Sequence, residues 1–139
     1  MNELWRLIPE YVVLAGALLA LFADVLHLGD RGAARAGALA AGLAAAAAVL
    51  IGPGGAPFGG MLALDESAVF ARAAVASLAA VWLLWIAGRD TAPERRAEAV
   101  ALALFSALGG MLMVAARDLI VLFVALELST MPAYVLMGY

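Results

Sequence analysis

The chain has 139 residues, 67% of them hydrophobic and 14% charged, with a mean hydropathy of +1.05 and a formal net charge of −3. That balance belongs to an integral membrane protein rather than a soluble domain, and it offers no basic patch for nucleic acid. All eight cations are Arg, Cys is absent and there is one His. These counts exclude disulfides, iron–sulfur clusters, most zinc sites and, for want of a Lys beside GPGGAPFGG (52–60), a Walker-type phosphate loop.

Five apolar stretches are long enough to cross a hydrocarbon core of roughly 30 Å, which takes about 20 helical residues. They are 7–27, 34–51, 67–87, 98–116 and 119–138. None alternates as a strand would, so they predict an all-α, polytopic transmembrane helix bundle rather than a barrel.

In the first stretch, Tyr11 to Ala23 has the length of a signal-peptide core, but Glu3 beside Arg6 and Glu10 at its opening favour a retained span. Asp24 and His27 lie one turn apart near its end and read as interfacial, with Asp24 a candidate for a water path. The second stretch, AARAGALAAGLAAAAAVLIG, is a smooth helix that gains from close backbone approach through Gly37, Gly42 and its Ala ridges. The connection 52–66 is the one long enough to have a shape of its own. At its end Asp65 and Glu66 suit the positive end of the third helix. Arg72, a turn and a half inside, either snorkels outward, pairs with Asp65 or Glu66, or reaches across toward Glu127.

The fourth and fifth stretches are joined by little more than Arg117-Asp118, which makes them antiparallel neighbours. In LFVALELSTMPAYVL (122–136), Glu127 is the only charge. It lies nine residues after Asp118, about 13 to 14 Å along a helix and so close to the midplane. Thr130 and Tyr134 follow on the same face, with Gly138 a turn beyond. Reflection through the turn brings Glu127 level with about position 108, so that Ser106 and Gly109-Gly110 supply small residues and room for water. Pro132 leaves the Leu128 carbonyl without its helical donor. An ionised carboxylate at this depth costs several kcal/mol without a partner. An acid that holds a proton when isolated and yields it when a cation approaches has the chemistry of a proton relay.

Arg6, Arg72 and Arg117 fall on one side of the membrane and Arg31, Arg35, Arg89, Arg95 and Arg96 on the other. The positive-inside rule then predicts an external amino terminus. Trp5 and Tyr11 at one interface, and Trp82 and Trp85 near the other, suit aromatic belts.

The stretch from Glu98 to Tyr139 resembles subunit N of the proton-translocating NADH:quinone oxidoreductase, respiratory complex I. The resemblance is carried by Glu98, Leu108-Gly109-Gly110, Asp118-Leu119, Leu126-Glu127-Leu128-Ser129, Pro132, Tyr134 and Gly138-Tyr139. LIPEYVVLAGALLALFADV resembles that family's first helix more weakly, and the middle of the chain carries little signal. The resemblance implies a bundle that is the amino-terminal part of a larger antiporter-like fold of about fourteen helices, in a bacterial inner membrane beside other membrane subunits of complex I. It makes Glu127 the match to the proton-channel carboxylate, whose Lys partner belongs to a later helix absent from this sequence. It also implies that NADH, FMN, iron–sulfur clusters and quinone belong to partner subunits, with no cofactor in this chain. The external amino terminus agrees with the Arg count.

Mrp-type cation/proton antiporter and membrane-bound hydrogenase subunits share the fold and carboxylate, though L-E-L-S-x-x-P-x-Y favours subunit N. A rotary ring subunit predicts an internal repeat that these helices lack. A non-catalytic membrane scaffold is the third reading. The expectation is a membrane subunit in which Glu127 exchanges protons and Ser106, Gly109, Thr130, Pro132 and Tyr134 shape a hydrated pocket around it.

Overall fold

The computed structural model describes residues 3–23, 29–89 and 96–138. Five helices carry the architecture: α1 Ile8–Leu21, α2 Gly29–Ile51, α3 Glu66–Ala87, α4 Arg96–Ala115 and α5 Leu119–Met137. Each supplies a span long and apolar enough to cross a bilayer, the first being extended to Leu4–Leu21 by a 3-10 turn, Leu4–Leu7, and the second covering Arg31–Ile51 of α2. The chain is thus a multi-pass membrane bundle, and no strand occurs among the described residues.

The helix ends differ from the sequence expectation where polar residues extend a span. α2 begins at Gly29 rather than 34, because Asp30, Arg31 and Arg35 lie in a helix that continues beyond the apolar run. α1 ends at Leu21, short of the expected 27, with Phe22 closing its last turn. Asp24 and His27 lie outside the described residues.

Lipid tails are as apolar as Leu, so helices in a membrane associate through close packing of small side chains rather than by escaping water. α2 shows this directly: Ala34, Ala38, Ala41, Ala44 and Ala48 are buried at helical spacing. A Cβ on Gly37 would fall 2.7 Å from Val100 Cγ1 of α4, and one on Gly16 of α1 would fall 2.6 Å from Ala40 Cβ. Gly42 is a correction, since it faces open space with no atom within 4 Å of its would-be Cβ. It lies on the helix face away from these contacts.

α4 is the hub of the bundle and touches α1, α2, α3 and α5. Val100, Leu104, Leu108 and Met111 pack on Val13, Ala17, Ala76 and Leu83. By contrast α5 packs chiefly on α4, with Val121 also resting on the cluster of Leu7, Leu62, Leu64 and Ala68, and 6% of its span is buried against 50% of the α4 span.

The 52–65 connection is folded back on the bundle. Ala63 N–H donates to the Ala115 carbonyl (2.8 Å) and Arg117 N–H to the Met61 carbonyl (2.8 Å), which ties the loop to the α4–α5 turn. From the other side Arg6 Nη1 donates to the Pro53 carbonyl (3.1 Å), and Glu3 Oε2 accepts from Ala56 N–H (3.1 Å). Gly54 and Gly55 allow this, with φ of 126° and 86°. Side chains there would be strained and would meet the Arg6 side chain.

Asp65 caps α3 as expected, accepting from Ala68 N–H at 2.8 Å. It also accepts from Ser67 Oγ (2.7 Å) and from Arg117 Nη2 (2.8 Å). These donors favour the ionised form and hold the carboxyl below its ordinary pKa, with the Ser67 bond foremost. A lowered folded-state value adds stability above the unfolded pKa of about 3.9, lost only as pH falls through the folded value. Asp65→Asn should therefore lower the melting temperature in nanodiscs equally at about pH 8 and pH 6, with the gap from the parent closing only below about pH 4. A gap that closes already between those two neutral values would contradict this cap.

Candidate functional site

Asp118 starts α5 by accepting from the backbone N–H groups of Ile120 (2.8 Å) and Val121 (3.4 Å). That fixed start places Glu127 about 13 to 14 Å along the axis, near mid-membrane. The seam with α4 lies at the same depth. A Cβ on Gly109 would come within 2.7 Å of the Ala125 carbonyl oxygen and 2.8 Å of the Leu128 carbonyl carbon, so the two backbones touch there. Ser106 Oγ donates across the seam to the Ser129 carbonyl at 2.9 Å.

Helical geometry then sets the direction of Glu127. Ala125 and Ser129 each lie two residues away, about 200° around the helix. The small residues Ala125 and Ser129 meet Gly109 and Ser106 of α4, and the carboxylate is turned to the far side. Glu127 is half-buried there, on a face shared with exposed Ile120, Phe123, Val124 and Met131. Tyr134, on the same face, is 67% exposed. Thr130 Oγ1 donates back to the Leu126 carbonyl at 2.9 Å, so its hydroxyl is engaged within α5. No ion pair reaches Glu127 among the described residues.

The expected pocket is thus divided. Ser106 and Gly109 are brought to the α4–α5 seam with Ser129, whereas Glu127, Thr130 and Tyr134 share the opposite face of α5. Pro132 is half-buried within an α5 that remains helical through Met137. A groove of about 390 Å³ lies between α3, α4 and α5, with Val75, Trp82, Ser106, Gly110 and Ser129 in its walls. Glu127 is not among the residues lining it.

Arg72 neither snorkels nor pairs with Asp65, Glu66 or Glu127. It is 1% exposed and grips Glu10 of α1 with two bonds, Nε to Oε1 and Nη2 to Oε2, both 2.6 Å. Nη2 also donates to the Arg6 carbonyl at 3.1 Å. Sequence reasoning missed Glu10 as the partner. The signal was depth: residue 10 is six positions into the span 4–21, and residue 72 is six positions into the span 66–87 (10 − 4 = 72 − 66).

NADH-quinone oxidoreductase subunit N of Erythrobacter litoralis is 35% identical over 99% of the chain. Those of Rhizorhabdus wittichii and Salinispora tropica are 40% and 41% identical, each over 95% of it. The chain is homologous to NADH-quinone oxidoreductase subunit N. It spans 27–30% of the length of these three subunit N proteins. No family model matches the chain, and no solved structure matches it significantly. The similarity to subunit N runs through the Ala-rich middle, where the sequence itself carries little motif signal, as well as through the Glu127 stretch.

Proposed function

We propose that the chain serves as membrane subunit N of an NADH:quinone oxidoreductase and contributes to proton translocation there, with Glu127 as the proton-exchanging group. The observation that carries the reading is the run of identity to subunit N proteins along nearly the whole chain. Placement of a lone acid at the middle of the least covered helix supports the role of Glu127. A carboxyl there exchanges a proton with whatever polar group or water file is laid against the outer face of α5, while the two backbones stay in contact behind it at Gly109.

In this reading the electron-carrying groups, NADH, FMN, iron–sulfur clusters and quinone, are held by partner subunits, and the amino terminus lies outside the cytoplasm. The membrane partners are the other membrane subunits of the same complex. Ser106, Gly109 and Pro132 set the position of α5 rather than touch the proton.

The test uses the intact subunit in a bacterial strain lacking its own subunit N. An affinity-tagged copy is expected to co-purify with NADH-oxidising activity from the membrane, and Glu127→Gln is expected to assemble equally while lowering proton translocation. Full assembly with no effect of Glu127→Gln selects the scaffold reading; failure of the tagged parent to co-purify removes the assignment to the complex.

A further inference from the structure

A seam built of small residues brings two helices close but offers few side chains to stop one of them rolling about its own axis. Beyond that seam, the start of α5 is held by the 52–65 connection. Val121 packs on the buried cluster of Leu7, Leu62, Leu64, Ala68 and Ala115, two of which belong to the connection. Leu62 and Leu64 are both fully buried, and main-chain bonds fix them from either side. Gly54 N–H donates to the Leu64 carbonyl (2.6 Å) and Leu64 N–H to the Gly55 carbonyl (3.2 Å). The residues flanking Leu62, Met61 and Ala63, are bonded to Arg117 and Ala115 at the α4–α5 turn. Arg117 Nη2 returns to Asp65 Oδ2 at 2.8 Å, while Arg6 and Glu3 pin Pro53 and Ala56 to the amino-terminal turn. The connection is a strap from the start of α1 to the start of α5.

We propose that this strap is a positioning element that holds α5 against rotation, with Leu62 and Leu64 acting through Val121. At 3.6 residues per turn, Ala125 and Ser129 lie about 40° and 80° around the helix from Val121, and Glu127 about 120° in the other direction. Val121 sits about 6 Å along the axis from Ala125, so α5 is gripped at two heights on one stripe. The seam selects the face that meets α4, and the strap keeps it there. Because a helix turns as a rigid body, any roll released at Val121 carries the Glu127 carboxylate around with it. Leu62 and Leu64 act at a distance, through a residue about 9 Å along the axis from Glu127, and are positioning residues for it. The strap's weight in proton exchange rests on the role proposed for Glu127, whereas its hold on α5 does not.

The chain has no Cys, so a single pair can be introduced and read without background. In the assembled oxidoreductase in membrane vesicles, Ser106→Cys is combined in turn with Leu128→Cys, Ser129→Cys or Thr130→Cys, and disulfide yield is measured after mild oxidation. A Cys at 106 keeps a weak donor at the seam. In the parent, bridging is expected to concentrate on position 129. Leu62→Ala should abolish that preference and spread the yield to 128 and 130, whereas Val124→Ala, on the exposed face, should leave it intact. Val121→Ala, which withdraws the resting side chain from α5 itself, makes the same test should Leu62→Ala not assemble. A preference for 129 kept in both strap variants overturns the proposal. Loss of bridging at all three positions also overturns it, because the strap then holds the fold and not the rotation. Proton uptake per NADH oxidised is read on the strap variants without the added Cys. Spread bridging with uptake at the parent ratio leaves the strap standing and removes the role of Glu127; spread bridging with lowered uptake supports both.

Discussion

Arg72→Met is expected to destabilise the bundle by about 3–5 kcal/mol, the cost of leaving one member of a buried ion pair without the other. Glu10 would remain sealed inside the protein, having lost both guanidinium bonds, and the Arg6 carbonyl would lose a donor. Glu10→Gln should cost less than Arg72→Met, because an amide still accepts one of the two bonds. The double replacement Glu10→Leu with Arg72→Met should recover much of the loss, since a well-packed apolar pair of similar volume often matches a buried ion pair. Reversible unfolding in bicelles, run as a double-mutant cycle, measures the coupling. Single variants within about 1 kcal/mol of the parent would mean that the pair contributes no more than a surface bridge. The reason to expect more is architectural. α1 and α3 are not otherwise close-packed neighbours, so this pair joins them directly.

The second large effect is expected at Gly109. A side chain there meets backbone of α5 on both sides, at the Ala125 oxygen and the Leu128 carbonyl carbon, and backbone cannot rotate away as a side chain can. Gly109→Val should force α4 and α5 apart and break the Ser106–Ser129 bond, at a cost at or above the usual ~1–3 kcal/mol of overpacking. α5 is the element most exposed to this change, because α4 is its main neighbour among the described residues. Gly110→Ala is the control one residue on, where the new Cβ would meet only Val75, no closer than 3.4 Å. Equal stability of the two variants would show that the seam is looser than the contact at Gly109 indicates.

Depth was legible in the sequence and direction was not. Counting from Asp118, and reflecting through the short turn, set Glu127 level with residue 108, and the structure brings Gly109 against Ala125 to Ser129. The same count could not decide which face of α5 would turn toward α4. That is settled by which small residues meet: Ala125 and Ser129 accept Gly109 and Ser106, so Glu127 is carried to the far side. The number of spans and the all-helical class followed from apolar length alone. Glu10 was passed over because it was weighed only as an oddity at the start of an apolar run, although its depth equals that of Arg72. Arg96 was counted as a loop charge and turns out to be buried, since the polar run before α4 does not reveal where the helix begins. Gly42 was misjudged because an Ala/Gly helix offers small residues on every face, and sequence alone does not mark the one that is packed.

In the role proposed for it, Glu127 makes its own face of α5, and not the polar seam behind it, the place of proton exchange. The direct measurement is proton uptake per NADH oxidised in inverted membrane vesicles containing the assembled oxidoreductase, compared between Glu127→Gln and Ser106→Ala. Glu127→Gln is expected to lower the ratio sharply with the complex assembled. Ser106→Ala, which removes one interhelical hydrogen bond worth about 0.6 kcal/mol on average in a membrane, is expected to leave the ratio near that of the parent. Pumping by Glu127→Gln at the parent ratio, or its loss in Ser106→Ala alone, would contradict the account.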